Sequence, residues 1–156
     1  FHEAFHQVAD RYVPALPIWL NEGLATYYGR TRPTPNGIVF DRPAGHYFRV
    51  VRDAVSARQL IPLDELMLMS QQEFYEIPPV AGISWSRRTL AYAQAYTLVV
   101  FILADRHGAE RMREYIRLLA AAEDGRDVER ITREVFSANL LDALTPQWLA
   151  RVQRGG

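Results

Sequence analysis

Two histidines and a glutamate stand at the start of the chain, in the order His2-Glu3-Ala4-Phe5-His6. On a helix, residues four positions apart lie about 40° apart around the axis, so both imidazoles point the same way. Glu3 lies roughly one 100° step from His2, close to a shared metal without being forced to ligate it. This HExxH spacing suits two neutral imidazole ligands of zinc and a carboxylate general base acting on water.

A catalytic zinc site needs a third protein ligand, because three ligands and a water are the usual set. The chain has no Cys, so His, Asp or Glu must supply that ligand. The positions at which metzincins continue the motif hold Ala9 and Tyr12, which excludes that class. Asp10, four residues after His6, would crowd the tetrahedron, and we expect it to orient a neighbour or face water.

Glu22 is the stronger choice for the third ligand. It lies in a second motif, Trp19-Leu20-Asn21-Glu22-Gly23-Leu24-Ala25. The residues between the two motifs suffice for the end of one helix, a proline-containing turn and a returning second helix. A lone Glu is by default a solvent-facing helix residue, but the flanking Trp, Asn and Gly favour a tightly packed ligand helix. We expect Asn21 either to donate a hydrogen bond to Glu22 or to a substrate group from outside the ligand set, or to cap a helix or bond within the core.

The elements that position these residues follow from proline, glycine and helical periodicity. We predict helices at 1–12, 18–29, 47–58, 87–106, 109–122 and 127–136, two short helices within 62–76, and a last helix from 145. Gly108 is predicted to stop a helix, and Asp127 and Thr145-Pro146 to start helices. One short strand at most is expected, at 38–40, and 77–86 is expected to be a loop. The prediction is a mainly α fold, a single domain over 1–156, with any β-sheet small or lost upstream.

Composition limits the classes of partner. The 18 basic residues, all of them Arg, balance 18 acidic residues, so the formal net charge is zero. This balance predicts no attraction to nucleic acid or to an anionic membrane. The longest apolar stretch, around 96–104, is shorter than the ~20 residues of a membrane span, so we expect no transmembrane segment.

HEAFH followed by PIWLNEGLATYYG resembles the gluzincin metallopeptidases, which include thermolysin and the zinc aminopeptidases, and is most similar to bacterial peptidase MA-like domains. The resemblance implies a zincin-like catalytic domain that holds one Zn²⁺ through His2, His6 and Glu22. It implies Glu3 as the general base and a peptide or protein as the substrate. Fifteen residues separate the second His from the Glu, whereas the aminopeptidases have eighteen, so their substrate specificity does not carry over. Because the chain begins one residue before a ligand, we also expect preceding sequence and additional domains in the full-length protein.

The same resemblance implies a role for Tyr92. In the aminopeptidases a Tyr-x-x-Gly segment opens an apolar helix, and its Tyr hydrogen-bonds the tetrahedral intermediate. Tyr92 takes that position, with Ala95 in place of the Gly. A phenol can donate to an oxyanion that forms beside a metal. A core aromatic is the alternative reading, and Tyr96, one turn further on, competes for the role.

The remaining polar residues have structural interpretations. His46 and His107 lack a partner at ligand spacing, and His107 is expected at the end of a helix. Arg87-Arg88 are expected to form a solvated helix start, with contact to a substrate carboxylate as the alternative. Two rival functions also stay open, an inactive zinc-binding recognition module and a helical interaction domain with a chance HExxH.

Overall fold

The chain folds into a mainly helical structure, as the sequence predicts, and a computed structural model describes it over residues 1–35, 37–40, 44–76 and 86–155. Within these residues the elements are α1 His2–Tyr12, α2 Ile18–Tyr28, β1 Thr31–Thr34, β2 Gly37–Phe40, α3 Gly45–Ser56, α4 Leu63–Leu68, α5 Gln71–Tyr75, α6 Arg87–Ile102, α7 Arg106–Leu119, α8 Gly125–Val135 and α9 Ala138–Arg154. Most of the predicted loop at 77–86 lies outside the described residues. In the described part of the chain, no helix is both long enough and apolar enough to cross a membrane.

Helix α6 is the centre of the core. Eleven of its 16 residues are buried, on every side of the helix rather than along one stripe. A helix that is apolar all round is stable only when neighbours cover it, and α2, α3 and α9 pack against it. The apolar run that the sequence shows here therefore organises the whole fold.

Close contact between α2 and α6 depends on Gly23. A Cβ at this position would lie 2.8 Å from Val99 Cγ2 and 2.9 Å from the carbonyl oxygen of Ala95. Both distances are shorter than van der Waals contact, so only glycine fits without movement of α6. Since Gly23 follows Glu22 directly, the same contact fixes the position of the Glu22 backbone against α6.

Buried polar side chains tie α6 to neighbouring segments. Gln94 donates to the carbonyl of Ile61 at 2.8 Å and accepts from the amide of the same residue at 2.9 Å. The indole nitrogen of Trp148, on α9, donates to Thr97 Oγ1 at 3.3 Å. Buried polar groups are costly unless they are hydrogen-bonded. These bonds therefore fix the positions at which the segment before α4 and helix α9 pack along α6.

Gly108 does not stop a helix, contrary to the prediction. Helix α6 already ends at Ile102, and the side chain of Asp105 caps α7 by accepting hydrogen bonds from the amides of His107 and Gly108. A Cβ at Gly108 would lie 2.0 Å from the Ile102 carbonyl oxygen. The glycine therefore permits a tight connection between two helices. His107 correspondingly lies in the first turn of α7 and not at the C-terminal end of α6, which corrects the expectation for His107.

Two predicted helix starts are also wrong. Asp124, not Asp127, caps α8, because its side chain accepts from the amides of Arg126 and Asp127. Helix α9 begins after Ser137 and runs through Pro146.

Pro146 is tolerated inside α9 because side chains bond the carbonyls around it. A proline within a helix removes one backbone donor and disturbs the preceding turn. The hydroxyl of Thr145 donates to the Leu141 carbonyl at 2.7 Å, and the side-chain Nε2 of Gln147 donates to the Ala143 carbonyl at 2.9 Å. Tertiary burial of Trp148 beyond the proline keeps the helix in place.

The strand content exceeds the prediction by one strand. Strands β1 and β2 pair antiparallel, with Thr31 opposite Phe40 and Thr34 opposite Gly37. Gly37 has φ +123°, a conformation that favours glycine. Strand β1 was not predicted because it contains Pro33, a residue that strands accept only at an edge, and both strands of a two-stranded hairpin are edges.

Candidate metal centre

The structure brings the three predicted ligand residues together. Helix α1 carries His2 and His6 one turn apart, and α2 presents Glu22 to both. The two Nε2 atoms are 3.1 Å apart, and Glu22 Oε2 lies 3.6 Å from His2 Nε2 and 3.8 Å from His6 Nε2. Ligand atoms bound tetrahedrally at about 2.0–2.1 Å are separated by roughly 3.3 Å. The donor triangle is therefore the right size for a zinc ion.

The environment of Glu22 also fits a cation. Glu22 is only 4% exposed, and its Oε2 has no hydrogen-bond partner in the described part of the chain. Burial of a carboxylate oxygen without a partner is costly. This oxygen faces both histidines. A divalent cation between the three donors would remove that cost, so the residues present fit a metal ion.

Asn21 fixes the tautomer of His6. The Nδ1 of His6 lies 2.9 Å from Asn21 Oδ1. Since the amide oxygen can only accept, Nδ1 is the donor in this bond, and in the neutral ring Nε2 then has the lone pair. That lone pair is on the nitrogen that faces Glu22. The side chain of Asn21 thus accepts from His6 and does not donate to Glu22, which corrects the prediction; an acceptor of this kind is the usual partner behind a metal-bound imidazole.

Tyr75 is a part of the cluster that the sequence did not reveal. It is the last residue of α5, and its hydroxyl donates a short hydrogen bond to Glu22 Oε1. Burial raises the pKa of this phenol well above its ordinary value, and the bond to the Glu22 carboxylate raises it further. The phenol is therefore a proton donor throughout the neutral range. It occupies one carboxylate oxygen and leaves the other facing the histidines.

The two tyrosines that competed for the oxyanion role lie in different environments. The hydroxyl of Tyr96 accepts from the backbone amide of Ala44 at 3.0 Å, and this residue is 2% exposed. Tyr92 is half-buried, with its ring centroid 6.4 Å from that of Tyr75. Burial and then the charge of Glu22 raise the pKa of Tyr92, and a hydrogen bond from Arg88 lowers it. Tyr92 therefore lies beside the cluster, whereas the hydroxyl of Tyr96 is bonded to Ala44, the residue before α3.

Glu3 is free to act on solvent. It lies in the first turn of α1, is exposed, and forms no hydrogen bond or ion pair with the described residues. Its neighbour His2 is half-buried in the cluster. Because Glu3 is exposed, water reaches its carboxylate, as a general base requires.

A cleft opens beside the cluster. Its volume is about 580 Å³, and His6, Asn21, Glu22 and Tyr75 line one side of it. A larger cavity of about 830 Å³ lies between α4, α5 and α6 and does not touch the histidines. A ligand in the smaller cleft would meet two of the three donors, His6 and Glu22.

Three further polar residues lie outside the donor triangle. Asp10 is exposed and lines the cleft without joining the donors. His46 is exposed, with its ring 4.0 Å from that of Tyr47. His107 is exposed, and its Nδ1 lies 3.9 Å from Glu110 Oε2. Among the described residues, His2, His6 and Glu22 form the group of donors close enough to share an ion.

Comparisons of the chain with protein-family models, with curated proteins and with solved structures return no match. The interpretation of the site therefore depends on its own geometry.

Proposed function

We propose that the protein is a zinc-dependent metallopeptidase of the gluzincin type. The observation that carries the proposal is the donor triangle of His2, His6 and Glu22, with separations of 3.1–3.8 Å and an unpaired carboxylate oxygen at one of its corners. Imidazole and carboxylate ligands in this number are the set of a catalytic zinc site. The HExxH spacing and the second motif, which resemble those of the gluzincins, support the same conclusion.

In the proposed reaction, water adds to the carbonyl carbon of a peptide bond and the C–N bond breaks. A zinc ion held by His2, His6 and Glu22 supplies Lewis acidity. Glu3 accepts the proton that the attacking water loses and then passes it to the leaving amine. The catalytic base is thus restored at the end of each turnover.

Two tyrosines have separate roles. Tyr92 donates from its phenol to the oxyanion that develops on the carbonyl oxygen. Tyr75 holds Glu22 through Oε1 and so positions the ligand oxygen that faces the histidines. The raised pKa of each phenol keeps both protonated at neutral pH, as these roles need.

The test is the hydrolysis of a peptide library by zinc-loaded wild type, Glu3→Gln and Asp10→Asn. Both variants remove an exposed carboxylate from α1, but only Glu3 has a catalytic role. We expect Glu3→Gln to keep one zinc per chain and to lose about 10²–10⁴-fold in rate, with Asp10→Asn near wild type. Retained hydrolysis in Glu3→Gln overturns the assignment of the base. Zinc binding without hydrolysis in the wild type overturns the peptidase and leaves a zinc-binding recognition module.

A further inference from the structure

Arg88 lies over the aromatic side of the candidate metal centre. It is the second residue of α6 and is exposed. Its guanidinium carbon is 5.4 Å from the centroid of the Tyr75 ring and 6.0 Å from that of the Tyr92 ring. Both distances are within the range of a cation–π contact, which extends to about 6 Å. Two tyrosines of the centre thus hold this cation in place.

The neighbouring Arg87 shows what an ordinary surface arginine does here. Its Nη2 lies 2.9 Å from Glu65 Oε1, so its charge is paired. Arg88, in contrast, forms no ion pair with an Asp or Glu of the described residues. A guanidinium has five N–H donors. Apart from the hydrogen bond to Tyr92, the donors of Arg88 are therefore available to a ligand.

Tyr75 connects Arg88 to the donor triangle. The ring of Tyr75 lies under the guanidinium, and the hydroxyl of the same ring donates to Glu22. The ring of Tyr75 thus separates the positive charge of Arg88 from the carboxylate of Glu22. An extended peptide advances roughly 3.3–3.6 Å per residue. A substrate whose cleaved bond is at the donor triangle, and whose chain runs past Tyr75 toward α6, would bring its next one or two residues to Arg88.

We propose that Arg88 determines specificity by binding a carboxylate of the substrate one or two residues from the cleaved bond. The inference rests on the proposed peptidase function and names its substrate class, a peptide with a negative charge close to the scissile bond. A planar guanidinium binds a carboxylate through two parallel hydrogen bonds, which a Lys ammonium does not reproduce. The carboxylate comes from the C-terminus of the peptide or from an Asp or Glu side chain, and these two sources are separable.

The experiment compares matched peptides on zinc-loaded wild type, Arg88→Gln and Arg87→Gln. One pair of N-acetylated peptides differs only in a C-terminal acid or amide, and a second pair, both amidated, differs only in Glu or Gln two residues after the cleaved bond. We expect wild type to favour the charged member of one pair by about 10- to 100-fold in kcat/KM. Arg88→Gln should reduce that preference to about one, whatever its effect on the rate for the uncharged member. Arg87→Gln, the matched control, should keep it.

The pair that shows the preference identifies the source of the carboxylate. Equal cleavage of both members of both pairs by wild type overturns the proposal, as does a preference that survives in Arg88→Gln. Binding of the same peptides to Glu3→Gln and to the Glu3→Gln/Arg88→Gln double variant, measured by calorimetry, separates this inference from the proposed function. Absent hydrolysis, with charge-dependent binding that disappears in the double variant, leaves the Arg88 site intact and overturns only the peptidase. Hydrolysis without charge preference overturns only the Arg88 site.

Discussion

Helices α1 and α2 supply the ligands of one candidate site but differ sharply in how the fold holds them. In α2, seven residues are buried, among them Trp19 and Leu20 at 0% exposure. In α1, Ala9 is the one buried residue, and Val8 and Tyr12 are 56% and 67% exposed. Glu22 is therefore fixed by the core, whereas the two histidines are carried on a helix at the surface.

The difference matters for the chemistry of the site. A carboxylate ligand held by Gly23 packing and by Tyr75 is pre-organised before any ion binds. The histidines reach it through fewer restraints, among them the Phe5–Tyr28 ring stacking at 5.6 Å and the Asn21 bond to His6. Substitutions in α2 should therefore act through the fold and the site together, and substitutions on α1 through the site alone.

The largest effect is expected from removal of the core-held ligand. Glu22→Ala should abolish zinc binding, since two histidines remain, whereas Asp10→Ala should bind zinc like wild type. The loss should exceed the roughly 10- to 100-fold that follows removal of an outer hydrogen-bond partner. Equilibrium competition with a chromophoric chelator measures both affinities. Zinc loss in Asp10→Ala with retention in Glu22→Ala reverses the ligand assignment.

A matched pair of apolar truncations tests the contrast in burial directly. Leu20→Ala, at a site with 0% exposure, should lower the free energy of unfolding by about 2–5 kcal/mol. Val8→Ala, at a site with 56% exposure on α1, should change it by less than about 0.5 kcal/mol. Urea denaturation of the metal-free protein followed by circular dichroism gives both values. Equal losses in the two variants contradict the distinction between the helices.

The hydrogen bonds behind the ligands have an intermediate effect. Tyr75→Phe removes the donor to Glu22 Oε1, and Asn21→Ala removes the acceptor that sets the His6 tautomer. Each should weaken zinc binding by about 10- to 100-fold. Tyr27→Phe, which removes a tyrosine hydroxyl elsewhere on α2, is the control. Zinc affinity unchanged by Tyr75→Phe contradicts its positioning role.

The smallest effect is expected from one added methyl group. Gly23→Ala should destabilise the protein by about 1–2 kcal/mol, because the contact with Ala95 and Val99 is too close for a Cβ, while better helix propensity offsets part of the cost. Gly125→Ala, where a Cβ meets nothing within 4 Å, is the matched control and should be neutral or stabilising. Thermal unfolding measures both. A stable Gly23→Ala variant contradicts the close approach of α2 to α6.

The ligand helices and the three clustered donors were predictable because their signals are local. HExxH places two side chains on one face by helical geometry, and the prolines between the motifs mark where α1 ends and α2 begins. The mainly helical fold and the central α6 followed from apolar periodicity in the same way.

The parts that were missed depend on tertiary contacts. Tyr75 is 53 residues from Glu22 in sequence, and neither carries a spacing that announces the other. A glycine is a typical helix stop, but Gly108 instead allows the backbone to approach the carbonyl of Ile102 closely. Pro146 suggests a helix start, but the side-chain bonds of Thr145 and Gln147 allow α9 to continue through it. Each of these depends on a neighbour that is known only once the chain is folded.

The most direct measurement is anomalous diffraction at the zinc edge from crystals of the zinc-loaded protein. We predict one peak per chain between the Nε2 atoms of His2 and His6 and Oε2 of Glu22, about 2.0–2.1 Å from each nitrogen. A peak elsewhere, or no peak above background after loading, would contradict the central claim that these three side chains form a zinc site.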